Sequence, residues 1–328
     1  MRTKYRIGQL ALSLLLSVSV CSFGVMETLQ AQDYPTKPIN IVIPLGAGGQ
    51  NDLLVRMLSP LATEYFGQPW VVRIRTGGGG AVGSNEVAQS PADGYTLLSG
   101  HANCNTVLPA AEGRSKGPGE LDAVARLSSQ YSAYWVQTDA PWKNLKEVIA
   151  WAKANPGKLT YGNAGTWSSN DFSWRWLELN AGFTSRNVPY DGGAQCTIAL
   201  LGGHIQMSRL SSGHAYPQWK AGKIRPIVIA GAKRLPEMPD TPSMLEEGFD
   251  MKGLGGVWIG MFAPKGTPRP IINKLADNFK RMLQDKRAIA GIKAMGADFD
   301  YAGPEEFEKE WREEFNGYKE LASMFKKK

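Results

Sequence analysis

The three histidines and the serines near them are the residues in this chain that could do covalent chemistry, since a hydroxyl or thiol beside an imidazole base makes a nucleophile. His101 and His214 stand in loops rich in Gly, Ser and Asn, whereas His204 follows Gly203 and is expected to be exposed. No GxSxG elbow accompanies them, so His101 is expected to line a pocket or to pack. Neither HExxH nor CxxC occurs, and no metal site is expected. Gly78-Gly79-Gly80-Ala81-Val82-Gly83 has the GxGxxG spacing. A dinucleotide fold also needs an acid ~20 residues further on, and residues 96–103 contain neither Asp nor Glu. No Gly-Lys-Ser/Thr is present either, which excludes a P-loop. No catalytic residue and no cofactor are expected, and the chemistry left is non-covalent capture.

The elements that must position these residues alternate. Short β-branched runs at 39–43, 70–74 and 95–99 are separated by helical stretches at 51–66 and 81–89, with Pro60 expected to split the first. Residues 124–136 are extended, 145–155 helical, and further strands fall at 158–161, 187–190, 205–208, 226–230 and 256–262. From 268 onward the chain is expected to be helical, broken near Gly296 and at Gly303-Pro304. Alternating strands and helices predict α/β architecture with mixed or mostly parallel sheets. Six loops lie at or near strand ends, at 44–52, 77–85, 100–105, 162–170, 190–195 and 210–215. Ligands of open α/β sheets bind where such loops gather, and those that lead into helices favour an anion. None of the six contains Lys or Arg, which predicts capture by backbone amides and water rather than by a cationic clamp. Singly, each is a turn that needs Gly for positive φ; six together point to binding. Gly79, His101 and Ser211 are candidates in the second, third and sixth loops. Asp52 lies in a helix first turn, where a carboxylate stabilises the dipole with or without a ligand.

Composition sets the broad class. With 328 residues, 43% of them hydrophobic, the chain can bury one large or two medium cores. Its net charge of +7 is scattered, with one basic run at Lys326-Lys327-Lys328, so no nucleic-acid partner is expected. Arg2, Lys4 and Arg6 precede an apolar stretch at 10–20, whose 11 residues fall short of the ~20 that span a bilayer. This is the pattern of a cleaved export signal at 1–31 and places the mature chain in the periplasm. The chain is expected to leave a first lobe near Gln130, build a second, and return near Gly255. Lobe one is then 32–130 plus 256–328, and lobe two 131–255, with two crossovers as the hinge.

Several stretches, in order along nearly the whole mature chain, resemble the solute receptors of tripartite tricarboxylate transporters, the Bug family. They begin with Tyr34-Pro-Thr-Lys-Pro-Ile-Asn-Ile-Val-Ile-Pro-Leu-Gly-Ala-Gly-Gly-Gln-Asn-Asp52, the loop 77–83 and Asp93-Gly-Tyr-Thr-Leu-Leu98. Asn155-Pro-Gly-Lys-Leu-Thr-Tyr-Gly162, Val188-Pro-Tyr-Asp-Gly-Gly193 and Phe262-Ala-Pro-Lys-Gly-Thr-Pro268 continue the match. The resemblance implies a type II periplasmic-binding-protein fold with a ligand cleft between two lobes. It implies a small carboxylate as ligand and a large and a small integral-membrane subunit as transport partners, with the receptor itself expected to be a monomer. By position it implies that Ala47, Gly48 and Asn51 of the first loop, and Asn163, Ala164, Ser168 and Ser169 of the second lobe, hold a carboxylate, with Tyr190, Asp191 and Gly192 nearby. The chain departs from the family at the same place. Asn170 and Asp171 stand where His is common, Trp167 where a small residue is common, and Gly46 where Pro is common. Trp167, Trp258 and Tyr131 form a candidate aromatic wall, which would favour a ring-bearing or bulky ligand; core packing is the alternative for Trp258 and Tyr131. Cys104 and Cys196 fall in different lobes, and a bond between them would lock the cleft, so both thiols are expected to be free. An exported hydrolase using His101, and a receptor feeding a membrane sensor, are the other readings.

Overall fold

The structure, a computed structural model, describes residues 33–326 except 191, 252, 253, 255, 256 and 296. The expected export signal, Asp191 and the expected return of the chain near 255 lie outside the described residues. Strand β1 (Ile39–Ile43) is apolar apart from the half-buried Asn40, as suits a strand covered on both faces. It pairs in parallel with β2 (Trp70–Ile74) and with β3 (Thr96–His101). β10 (Val257–Pro264) adds antiparallel to β3, β4 (Leu121–Gln130) antiparallel to β10, and β11 (Asp298–Ala302) to the outer edge of β4. The six-stranded order is β11-β4-β10-β3-β1-β2. A second sheet has the order β7-β6-β8-β5-β9. Its strands are β5 (Ser132–Gln137), β6 (Thr160–Asn163), β7 (Arg186–Pro189), β8 (Met207–Ser211) and β9 (Ile224–Ile229). Both sheets are mixed: β6 pairs in parallel with β7 and β8, while β5 runs antiparallel to β8 and β9.

The extended stretch expected at 124–136 is two strands in two sheets, divided at Tyr131. Gln130, at the end of β4, faces Val257, at the start of β10, so the two crossovers lie side by side.

Helices cover the sheets. In the first lobe, α1 (Gln50–Leu58) and α2 (Ala62–Phe66) are separated by a 3-10 turn that contains Pro60. α3 (Ala81–Ala88), α9 (Arg269–Leu283) and α10 (Lys286–Ala294) complete the layer. α9 turns Ile271, Ile272, Leu275, Phe279 and Leu283 into the core, as helical spacing requires. In the second lobe lie α5 (Leu145–Ala154), α6 (Ser169–Ala181), α7 (Gly193–Leu201) and α8 (Ser212–Lys220); α4 (Leu108–Glu112) follows a π-helical turn at Asn103–Val107. The last helix, α11 (Pro304–Lys326), serves both lobes. Phe307 and Trp311 pack against Phe262 in the first, and Tyr318, Leu321 and Ala322 pack with Phe172 in the second. After 268 the sequence predicts helix with breaks near Gly296 and at Gly303-Pro304, and the stretch between those breaks is a strand, β11. Its five residues alternate polar and apolar, and only an open sheet edge beside β4 makes them a strand. No helix among the described residues is long and apolar enough to cross a membrane.

Candidate ligand site between the two sheets

The carboxyl ends of β3, β6 and β8 converge with the N-termini of α1, α6, α7 and α8 on a cavity of about 190 Å3. Gln50, His101 and Asn103 wall it from the first lobe, and Ala164, Ser168, Ser169, Asn170, Gly193, Ser211 and His214 from the second. Ser132 and Val257 contribute from the two crossovers. The volume equals about six waters at ~30 Å3 each, well below the ~300–1,000 Å3 of drug-sized sites. Larger cavities exist, of about 620 Å3, 440 Å3 (at the crossovers), 500 Å3 and 470 Å3; the last touches the start of α8 at Ser212 and Gly213, but none of them gathers several helix N-termini.

A helix N-terminus presents N–H groups that have no partner within the helix, and its dipole adds positive potential. Only α6 is capped by a side chain, Ser168 Oγ accepting from Asp171 N. Gly49 and Gly192 have no side chain to cap α1 and α7. Ser211 could cap α8 but meets His214 Nδ1 at 2.9 Å instead. Three of the four helices therefore face the cavity without a side-chain cap, an arrangement that favours an anion.

The imidazoles add no charge. Burial pushes His101 down to about 4, and its Nδ1 accepts from Asn103 N at 3.1 Å, which leaves the ring proton on Nε2. Burial lowers His214 as well. Arg209, in the middle of β8, is the only side chain carrying a charge near pH 7 among the described residues that line the cavity. It is fully buried. Its Nε donates to Ser132 Oγ (2.8 Å), and its Nη1 to Ser169 O (3.1 Å) and Ser173 Oγ (2.8 Å). This corrects the expectation of a site without a cation: the six loops contain none, but the strand beneath them does. Glu314 of α11 is also buried, with Oε2 accepting from Trp258 Nε1 at 2.7 Å. Burial pushes its carboxyl up to about 8, despite that bond and the charge of Arg209.

Of the residues expected at the site, the structure brings His101, Ala164, Ser168, Ser169 and Ser211 together around the cavity. The others shape the loops. Asn51 is buried and clamps the end of β3, its Nδ2 donating to Ser99 O and Gly100 O. Ala47 and Gly48 are exposed, and Gly48 N donates to Asp52 Oδ2, curling the first loop on itself. Gly79 has φ +68 and packs beside Leu108, where an added Cβ would sit 2.8 Å from Cδ1, so it serves the turn rather than the cavity. Asn163 ties the second-lobe loop, accepting from Gly165 N and donating to Asp171. Tyr190 packs with the second-lobe core and donates its N–H to Asn163 O, and Gly192 opens α7 with φ +148. Trp167 packs on Phe172 at 5.4 Å between ring centroids. Trp258 packs against Phe307, and Trp258 and Tyr131 both line the crossover cavity. Trp167 is not among that cavity's lining residues, so the three aromatics do not form one wall. Cys104 and Cys196 are free and buried, as expected, and burial raises their thiols to about 12 and about 11.

Asp171, one of the positions that departs from the family, organises the loop. Fully buried, it accepts from Trp167 N (3.0 Å), Asn163 Nδ2 (3.3 Å) and Arg175 Nε (2.9 Å). Gln50, Asn103, Ser132, Gly193 and Arg209 were not singled out from the sequence. Gln50, Asn103 and Gly193 lie inside the loops already noted, so their signal was present. Arg209 gave a signal too: a lone charge between Ser208 and Leu210 in a short strand.

The chain is similar to known proteins. The family model described as tripartite tricarboxylate transporter family receptor matches residues 54–317. A UPF0065 protein of Cupriavidus necator is 34% identical over 255 residues, 77% of each chain. MatC from Rhodopseudomonas palustris, solved with bound malate, has a TM-score of 0.72 at 26% identity, covering 88% of this chain and 100% of its own. A second R. palustris protein, solved with adipate, has a TM-score of 0.73 at 25% identity, covering 89% and 98%.

Proposed function

The chain belongs to the tripartite tricarboxylate transporter receptor family, and on that premise we propose that it binds a small carboxylate between its lobes and delivers it to a membrane transporter. The observation that carries this reading is the meeting of four helix N-termini and Arg209 on a small cavity with no ionised acid among its described lining residues. The malate and adipate of the two structural relatives are small dicarboxylates of the kind this cavity would take. A compact diacid suits about 190 Å3 better than a ring-bearing one. His101, Ala164, Ser168, Ser169 and Ser211 are the residues proposed to touch it, with Gln50, Asn170 and Gly193 beside them. Because the walls come from both lobes, 32–130 plus 256–328 and 131–255, a ligand stabilises the closed population. The transporter subunits would recognise that closed shape. The proposed place of action is the periplasm, reached through the export signal, and the proposed working unit is a monomer.

A thermal-shift and calorimetric screen of mono-, di- and tricarboxylates tests the reading. One ligand per chain at 100 times its Kd should add about 2.7 kcal/mol of stability, without turnover. If no carboxylate shifts the unfolding transition, the reading fails. Among the described residues, the Ser211–His214 contact at 2.9 Å suits a hydrolase, and consumption of the bound compound in the same screen would favour that alternative.

A further inference from the structure

We propose that the hydrogen bond between Gln50 and Gln130 is a partition that sets which carboxylates the receptor takes: it closes the small ligand cavity off from the larger cavity at the crossovers and so restricts the ligand to short diacids. This rests on the reading of the small cavity as a carboxylate site.

The two cavities are neighbours. Ser132 and Val257 line both the cavity of about 190 Å3 and the one of about 440 Å3. Gln50, the first residue of α1, lines the smaller, and Gln130, the last residue of β4, lines the larger. Gln50 Nε2 donates to Gln130 Oε1 at 2.9 Å, so one hydrogen bond ties a wall of each cavity along their boundary. Gln130 is 6% exposed, and its Nε2 is buried with no hydrogen-bond partner among the described residues. A buried amide satisfied on one side only weakens the fold; what Gln130 supplies is the acceptor that fixes Gln50. The second lobe braces the same amide. Gly213, in the first turn of α8, packs so closely that a Cβ there would stand 3.3 Å from Gln50 Nε2. Beyond the partition the chemistry changes. Trp258, Tyr131, Leu235, Met251 and Leu254 line the crossover cavity, surroundings that suit a ring or a long alkyl chain. Its volume falls in the ~300–1,000 Å3 range of drug-sized sites, whereas that of the ligand cavity lies below it. Without the Gln50 side chain the two spaces join. A ligand whose carboxylate sits at the helix N-termini then has room to extend a ring toward Trp258.

Calorimetry on the mature protein with succinate, malate, suberate and phenylsuccinate tests the partition. The wild type should bind succinate or malate at least about 10-fold more tightly than suberate and phenylsuccinate, since one methylene more or less in a pocket discriminates by about 10- to 200-fold. Gln50→Ala should narrow that ratio by about 10-fold or more, through tighter binding of suberate or phenylsuccinate. A merely structural role of Gln50 would weaken every ligand alike and leave the ratio unchanged. If the wild type binds no member of the panel, the carboxylate reading fails and this inference with it. Two results overturn the partition while leaving the carboxylate reading intact. One is a wild type that binds phenylsuccinate or suberate as tightly as malate. The other is a ratio in Gln50→Ala within about threefold of wild type. Should Gln50→Ala fail to fold, a crystal structure of the wild type with its tightest panel member decides. A ligand that ends on the ligand-cavity side of the Gln50–Gln130 bond supports the assignment. A ligand that passes the bond and touches Trp258 overturns it.

Discussion

Asp171→Asn tests whether a buried carboxylate builds the second-lobe wall of the cavity. The side chain is fully buried and accepts three hydrogen bonds, from Trp167 N, Asn163 Nδ2 and Arg175 Nε. Asparagine can keep one oxygen where Trp167 and Arg175 converge on Oδ2. Its amide nitrogen must then replace Oδ1 and meet the Asn163 Nδ2 donor. Asn163 cannot simply turn over, because its own oxygen accepts from Gly165 N at 3.1 Å. One bond is therefore lost outright and two lose their charge. Hydrogen bonds to charged groups contribute about 1.5–3 kcal/mol each. The Arg175 pair adds less than about 1 kcal/mol, since that side chain is 35% exposed. A carboxylate in a helix first turn adds about 0.3–1 kcal/mol. The expected loss is roughly 2–4 kcal/mol, read by urea denaturation with the wild-type m-value retained. Ligand affinity should fall as well, because Ala164, Ser168 and Ser169 lie in the loop that Asp171 ties. A variant within about 0.5 kcal/mol of wild type, with unchanged affinity, would refute the claim that this carboxylate shapes the site.

Three further outcomes are expected. Gly80→Ala should cost about 2–4 kcal/mol, because Gly80 has φ +101 and an added Cβ would stand 2.6 Å from Cys104 Cβ; equal denaturation midpoints would contradict the backbone geometry. In the mature protein, Cys104 and Cys196 should resist maleimide at pH 8 until the protein is unfolded, since burial holds both thiols protonated; rapid labelling of the native state would show that one is accessible. Glu314→Gln should gain stability relative to wild type as pH rises. Folding raises this carboxyl from 4.5 to about 8, so its contribution is complete below about 4.5 and is lost as pH climbs toward about 8. The glutamine lacks that loss, and the difference between the two proteins should grow by an amount on the order of several kcal/mol between pH 5 and 8; parallel stability curves would sink the argument.

The local elements were legible because each depends on a short pattern. The β-branched run at 39–43 is a strand with both faces covered, and Pro60 splits α1 from α2 as its missing N–H demands. α9 follows its own apolar spacing. β11 was not legible, since five alternating residues are a strand only when another strand's edge is beside them. The candidate site divides the same way. His101, Ala164, Ser168, Ser169 and Ser211 stand in Gly- and Ser-rich loops at strand ends, so their neighbourhood is written in local composition. Asn51 and Trp167 share that composition but turn to clamp or pack, because side-chain direction depends on partners brought together by the fold.

By itself, the sequence determined most of the order of strands and helices, the glycine turns, and an ordered set of motifs that marks the family. Tertiary structure alone decided that Gln50, His101 and Ser169 share one cavity, that α11 packs into both lobes, and that the charge at the site comes from Arg209. The physical reason is range. Propensity and capping act over a few residues, whereas the field at a cavity sums groups that only long-range folding brings together. A loop survey for Lys and Arg therefore missed a cation that reaches the site from the strand below.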